Sequence, residues 1–360
     1  MRAAGGWGQF SMSIFEHPDF TGHEQVLYCH DPAVGKTGLK AIIAIHSTKL
    51  GPAAGGCRMH PYESEQAALT DALRLSQGMS FKNSVAGLPL GGGKCVIIAD
   101  PAAPGKEELL RAFAKHVQNL NGRYWTAIDI GVGPEDADIL AENCDYIFAR
   151  ASQYEPGFNP SSFTALGGFI GIKAALGCMK DGPQLKGLRV AVQGLGATGY
   201  GLSRHLHEAG ALLTVADVKH ALVEKAVAEF DAIVATPEQI HATDVDVLAP
   251  CAMGATLNDN TIPEIRAKII CGLANNQLAE ARHGAALLKQ GITYVPDYVV
   301  NAGGMMGASM VIFTEPSREA SLKRIEGLCE SIQEIITRSL NENRPTSEIA
   351  NELALARIDG

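Results

Sequence analysis

Apolar and polar positions follow two different rhythms along this 360-residue chain, and the change between them marks its organisation. In the first part, apolar runs at Gln25 to Cys29 and Leu39 to His46 flank the turn-forming DPAVGKTG, which predicts a pair of antiparallel strands. Residues 50–59, LGPAAGGCRM, carry Pro52, Gly55 and Gly56, so regular structure is expected to break there and carry Arg58 outward. Glu63 to Gly78 repeats apolar residues at helical spacing and ends in glycine, predicting a helix that stops at Gly78. A buried strand at Cys95 to Ala99, a helix at Glu107 to Leu120 and a strand at Tyr124 to Ile130 follow.

The second rhythm begins after Ser152 to Ser162, SQYEPGFNPSS, whose glycine, prolines and serines suggest a boundary. A helix at Thr164 to Cys178 leads into alternating short apolar strands and helices: Leu188 to Val192, a helix through His207, then Ala211 to Ala216. Further strands are expected at Ala232 to Ala235, Val245 to Ala249, Ile269 to Cys271 and Ile292 to Val295. That order predicts an α/β fold of two domains, the second a parallel, doubly wound sheet of the Rossmann type. The expected divisions are 1–150, a substrate, catalytic and oligomerisation domain, and 151–335, a dinucleotide-binding domain. Helices from Glu319 to about Asn341 and from Thr346 to Ile358 close the chain, and residues 336–360 are expected to pack back on the first domain.

Composition narrows the function. With 46% hydrophobic and 19% charged residues the chain can bury two substantial cores, while a net charge of -9 argues against a nucleic-acid surface. Eight cysteines form neither a CxxC pair nor a Cys/His cluster, so they read as reduced thiols of a cytoplasmic protein without a structural metal. No signal-like or membrane-length apolar run occurs, and Met12 is a candidate start that would make residues 1–11 an extension.

Candidate chemistry concentrates at GMSFKNSVAGLPLGGGKCVII, residues 78–98, where Lys82 and Lys94 stand twelve apart in an otherwise almost uncharged, glycine-rich stretch. Burying a lysine is costly, so the pair suggests anion binding and proton transfer, with one ammonium tuned toward neutrality. The alternative is a plain turn with Lys94 in water. Asp129 reads either as a catalytic acid or as a cap or turn residue, and Asn301 in PDYVVNAGG as a chemical group or a helix cap.

GLGATG, residues 194–199, follows a strand, opens a helix and precedes Asp217 at the next strand end. Gly194 suits a tight turn, Gly196 close approach of a pyrophosphate and Gly199 helix-on-strand packing, with Leu195, Ala197 and Thr198 between them presenting backbone amides. Asp217 would accept from a ribose 2'-hydroxyl and repel a 2'-phosphate, favouring NAD over NADP. Ala252, in Cys251-Ala252-Met253, and Asn275 fall just after strands of the same sheet, where such folds bind ligand.

LGPAAGGCR, GMSFKNSVAGLPLGGGK, GLGATG, CGLANNQL and PDYVVNAGG together resemble, in order and spacing from about Gly22 to Ile358, the Glu/Leu/Phe/Val amino-acid dehydrogenases, and within them the leucine branch. The resemblance implies that Lys82 binds the substrate carboxylate and that Lys94, working with Asp129, activates water and exchanges protons. It implies that Asn301 lies where substrate meets nicotinamide, and that Arg58 and Thr164 lie at the cofactor. The implied reaction is reversible oxidative deamination with NAD, without a metal, by a homo-oligomer. A protein that senses NAD or an amino acid without turnover is the different-class reading.

The side-chain pocket is expected to include Leu50, Ala54, Gly55, Met79, Ala127 and Met305. Glutamate-specific relatives carry lysine at the position of Ala54, so a distal carboxylate would be left unpaired here. Leucine, valine and isoleucine are the first choice, and phenylalanine or tryptophan the alternative. Gly307, Leu273, GVG after Asp129 and MVIFTEPS at 310–317 depart from the family pattern and leave the pocket's shape open.

Overall fold

The computed structural model describes residues 13–34, 38–154, 159–179, 184–313 and 317–360. The suggested extension, residues 1–11, lies outside them, as do parts of the expected boundary segment and of MVIFTEPS. Among the described residues, eleven strands form two sheets: β1 (Gln25–Asp31), β2 (Leu39–Ser47), β3 (Ala53–His60), β4 (Gly91–Ile98) and β5 (Tyr124–Ala127) in the first. Their order is β1-β2-β4-β3-β5, with β1, β2 and β4 antiparallel and β3 parallel to β4 and β5.

Alternation along these strands divides apolar side chains between two layers. Ile43, Ile45, Cys95 and Ile97 face helices α2 (Lys106–Gln118) and α3 (Pro134–Ala141), packing on Leu110, Phe113 and Leu140. Ile42, Ala44 and Val96 pack on Ala68, Leu69, Ala72 and Leu73 of α1 (Glu65–Val85). Ser64 caps α1 by accepting from the Ala67 amide.

The helix does not stop at Gly78. It runs on to Val85 and so carries Lys82 itself. A Cβ at Gly78 would meet nothing within 4 Å, so this exposed glycine costs only about 1 kcal/mol of helix propensity, too little to end a helix whose other face is buried. Where residues 50–59 are expected to be irregular, the chain forms β3 from Ala53 to His60, because Gly55 and Gly56 are flanked on both sides by strands that need their close backbone approach.

After α4 (Pro160–Gly177) comes the second sheet, all parallel, in the order β11-β10-β9-β6-β7-β8. Its members are β6 (Arg189–Gln193), β7 (Leu212–Ala216), β8 (Ile233–Val234), β9 (Val247–Pro250), β10 (Ile269–Ile270) and β11 (Thr293–Tyr294). Helices α5 (Ala197–Glu208), α6 (His220–Phe230) and α7 (Arg282–Lys289) link the strands. Val190, Val192, Val247 and Ala249 look into one core with α4 and α5, while Ala191 and Leu248 look into the other with Leu287 of α7. A parallel sheet covered on both faces is the expected doubly wound arrangement.

The chain ends with α8 (Asp297–Val300), α9 (Gly303–Ala308), α10 (Arg318–Glu326), α11 (Leu328–Glu342) and α12 (Thr346–Asp359). Arg357 of α12 donates to the carbonyls of Ser84 and Val85, and Ser84 Oγ donates to the Ala354 carbonyl, joining α12 to the end of α1. All eight cysteines are free thiols, and no helix among the described residues is long and apolar enough to cross a membrane.

Candidate active site

Lys82 on α1 and Lys94 on β4 reach one cleft because glycines let helix and strand almost touch. A Cβ at Gly92 would stand 2.1 Å from the Ser80 nitrogen, and Asn83 Nδ2 donates to the Gly91 carbonyl at 2.6 Å. The three glycines before Lys94 therefore lie within β4 and serve protein contacts: Gly91 against the Ser47 carbonyl, Gly92 against α1, Gly93 against the Tyr124 ring. Lys94 is 5% exposed, and an ammonium that buried costs several kcal/mol unless paired.

Its partner is Asp129, whose Oδ2 lies 3.0 Å from Lys94 Nζ. The carboxylate is delivered by a tight turn just beyond β5, in which Asp129 and Val132 exchange backbone hydrogen bonds. Gly131 takes φ +78 there, where a Cβ would strike the Met59 carbonyl at 2.1 Å. Burial pushes the Asp129 carboxyl up, but Lys94 and Arg58 outweigh it and hold the group at about 2. Burial pulls the Lys82 ammonium down to about 8, with Asp297 and Asp129 opposing and Lys94 reinforcing. Lys82 lines the same cleft and makes no ion pair among the described residues.

Arg58 is not carried outward. Its Nε donates to Asp129 Oδ2 at 2.8 Å and its Nη1 to Asp71 Oδ2 at 2.9 Å, so the guanidinium is engaged by two carboxylates and stands off the cleft wall.

The facing wall comes from the second sheet. Gly194 has φ +96, and a Cβ at Gly199 would lie 2.0 Å from the Gly194 carbonyl, so both glycines are required by the turn itself. A Cβ at Gly196 would meet nothing within 4 Å, leaving open space over the start of α5, whose first amides have no side-chain cap. That cradle fits a pyrophosphate at a helix N-terminus. Leu195 is buried and gives its N–H to Asp217 Oδ2 at 2.6 Å, while Asp217 Oδ1 accepts from the Lys219 amide. Each carboxylate oxygen keeps a further lone pair.

The cleft measures about 400 Å3 and brings Met79, Lys82, Lys94, Ala127 and Asp129 together with Thr164, Thr198, Ala252, Asn275, Asn301 and Met305. It lies beyond the ends of β6 and β9, where the strand order reverses. Asn301, 7% exposed, donates from Nδ2 to Asn275 Oδ1 at 2.7 Å, and its own Oδ1 has no partner among the described residues. Thr164 Oγ1 donates back to the Pro160 carbonyl.

Ala54 and Leu50 do not reach this wall. Ala54 is wholly buried in the core, and Gly56 stands at the cleft in place of Ala54 and Gly55, beside the expected Met79. Gly194, Leu195, Gly196, Ala197, Gly199 and Asp217 likewise lie off its lining, in the adjoining turn and strand end.

Sequence reading missed Phe148, Ala149, Pro160, Gly304 and Ala308, and named Leu273 only as a departure; Cys251 lines the cleft as part of the segment expected to meet ligand. Ala149 holds φ +62 on the cleft, a strained value for a residue with a side chain, and nothing in its local sequence signals that. A larger open depression of about 880 Å3 near Thr236, Gln239 and Arg266 holds none of these groups.

A lysine- and aspartate-lined cleft opening onto a glycine turn of the dinucleotide-binding kind defines a dehydrogenase architecture. Residues 23–146 match the family model described as "Glu/Leu/Phe/Val dehydrogenase, dimerisation domain", and residues 218–358 that described as "Glutamate/Leucine/Phenylalanine/Valine dehydrogenase". Leucine dehydrogenase of Bacillus subtilis (strain 168) is 45% identical over 348 residues, 97% of this chain and 94% of the relative. L-tryptophan dehydrogenase of Nostoc punctiforme is 43% identical over 351 residues, 96% of each chain. The crystal structure of L-tryptophan dehydrogenase from Nostoc punctiforme aligns with a TM-score of 0.83 at 42% identity, covering 96% of this chain and 98% of that one. A hetero-hexameric glutamate dehydrogenase from Thermus thermophilus, 21% identical with a TM-score of 0.78 over 95% of this chain and 89% of that one, shares the fold. The chain belongs to the Glu/Leu/Phe/Val dehydrogenase family and is an amino-acid dehydrogenase.

Proposed function

We propose that the protein catalyses the reversible oxidative deamination of an apolar L-amino acid, with leucine, valine and isoleucine preferred. The observation that carries this reading is the meeting of Lys82 with the Lys94–Asp129 pair in one cleft whose remaining walls include Met79, Phe148, Leu273 and Met305. The leucine dehydrogenases among its relatives support the side-chain choice. Amino acid, water and NAD become 2-oxo acid, ammonium and NADH with release of one proton.

Lys82 binds the substrate carboxylate, and Asp129 accepts from the substrate amine. Bound at the cleft, NAD would supply the acceptor for the Cα hydrogen and its electron pair. Lys94 then takes a proton from the water adding to the iminium carbon and returns one to the departing nitrogen. The uncapped start of α5, the open space at Gly196 and the side chain of Asp217 suit the dinucleotide, and Asp217 favours NAD over NADP. Thr164, Thr198, Ala252, Asn275 and the unpartnered Oδ1 of Asn301 stand where the nicotinamide end would lie. Self-association is proposed for the first domain, whose family description names dimerisation.

An aromatic substrate is the second reading, favoured by the small Ala127, Gly304 and Ala308 on the cleft and by Met79 and Met305, which adapt to rings. The test is NADH absorbance, giving kcat/KM for leucine, valine, phenylalanine, tryptophan and glutamate. A branched-chain preference is expected, with differences of about 10–200-fold between apolar side chains. A win for an aromatic overturns the substrate choice, and no turnover at all leaves a sensor.

A further inference from the structure

Asp129 is gripped asymmetrically. Lys94 Nζ and Arg58 Nε both bond Oδ2, at 3.0 and 2.8 Å, whereas Oδ1 receives no hydrogen bond among the described residues. Arg58 is itself held: Nη1 donates to Asp71 Oδ2, and that same oxygen accepts from the Tyr62 hydroxyl. His60 packs edge-on against the Tyr62 ring. Tyr62, Asp71, Arg58, Asp129 and Lys94 thus form one continuous chain of charged and polar contacts from the loop before α1 to the cleft.

We propose that Arg58 is a positioning residue for Asp129, anchored by Asp71 and Tyr62, that turns the free Oδ1 toward the substrate amine and shares Oδ2 with Lys94. The inference rests on the dehydrogenase reading above. A planar guanidinium suits the task, because one side chain reaches two carboxylates with fixed angles and never loses its charge. Its cation also weakens the hold of Asp129 on Lys94. With Lys94 as sole partner the two would form a closed ion pair, and the lysine proton would be less available for transfer. This role replaces contact with the cofactor as the reason for an arginine in LGPAAGGCR.

The groups facing this chain of charges are Lys94, Cys57 and Cys95 on the sheet, Lys82 and Asp71 on α1, and Asp129 and Tyr62 in loops. Asp297 of α8 faces Lys82 from the second domain. Removing a cation from such a set favours protonation of every neighbour.

The experiment follows kcat/KM for the preferred amino acid against pH, together with NADH affinity by fluorescence, in wild type, R58Q, R58K and D71N. R58Q is expected to lose about a hundredfold in kcat and to move the limbs of the pH profile upward by about one unit. R58K keeps the charge without the fork, so its limbs stay in place and part of the loss is recovered. D71N, losing an anion, is expected to move the limbs the other way. NADH affinity should stay near wild type in all three. Unmoved limbs in both R58Q and D71N would overturn the proposal, as would NADH binding weakened in step with kcat/KM. Absence of turnover in wild type would instead strike the dehydrogenase reading.

Discussion

Lys82 offers a test in which the structure supplies the magnitude. Its ammonium, drawn down to about 8 by burial, is the charge proposed to hold the substrate carboxylate. A lysine is charged below its pKa, so carboxylate binding should be strong near neutrality and weaken as pH rises through 8. For a group titrating at 8, the charged fraction falls from about nine-tenths at pH 7 to about one-tenth at pH 9, so affinity should drop roughly tenfold over that span. The assay is competitive inhibition by 4-methylpentanoate, a branched-chain acid with no amine to react and a carboxyl ionised throughout the range. Its inhibition constant should be flat below about pH 7.5 and then rise roughly tenfold per unit above 8.5. Lys82→Met should give weak inhibition with no such bend, since the remaining cleft charges are paired with each other. An inhibition constant unchanged between pH 7 and 9.5 in the wild type would refute both the lowered pKa and the carboxylate-binding role.

Lys94→Ala should lower kcat by at least about a hundredfold while NADH affinity measured by fluorescence stays near wild type; turnover close to normal would sink its assignment. Wild type should prefer NAD to NADP, and Asp217→Ala should narrow the ratio of kcat/KM values, whereas equal use of both by wild type contradicts the reading of Asp217. His23 is buried against Leu73 and Ser76, and burial draws it down to about 4. Above about pH 6.5 both folded and unfolded forms are neutral; as pH falls toward 4 the unfolded chain protonates first, removing up to about 3 kcal/mol of stability. Urea midpoints should therefore fall between pH 6.5 and 4, and less steeply in His23→Gln; identical slopes would count against it.

Most of the scaffold was legible because it is written in local pattern. The antiparallel pair β1 and β2, the strand and helix rhythm after residue 188 and the glycine turn at 194–199 all lie where periodicity placed them, within a few residues. The misreadings share a physical cause: glycine says that something comes close, without saying what. At Gly91 to Gly93 and at Gly55 and Gly56 the close neighbours are other strands and α1, so segments read as irregular are strands. At Gly78 nothing approaches, and a stop signal sits harmlessly inside a helix. Lys82 and Lys94 were legible from their poor surroundings, but the partners of Arg58 were not, because Asp71 and Asp129 lie thirteen and seventy-one residues away. Phe148 and Ala149 reach the cleft through a backbone conformation that no residue type there announces.

The bond between Arg357 and the carbonyls of Ser84 and Val85 bears on the order in which the molecule can be completed. Lys82 sits one turn before those carbonyls, on a helix finished early in synthesis, while the side chain that ties them down arrives almost three hundred residues later. Until then Asn83 and the glycines of β4 hold the end of α1 from one side only, and its last carbonyls lack these bonds. A ribosome-bound chain stalled before α12 should hold both sheets yet bind amino acid poorly. The last helix would act as a latch, so that competence to bind comes only with the finished polypeptide.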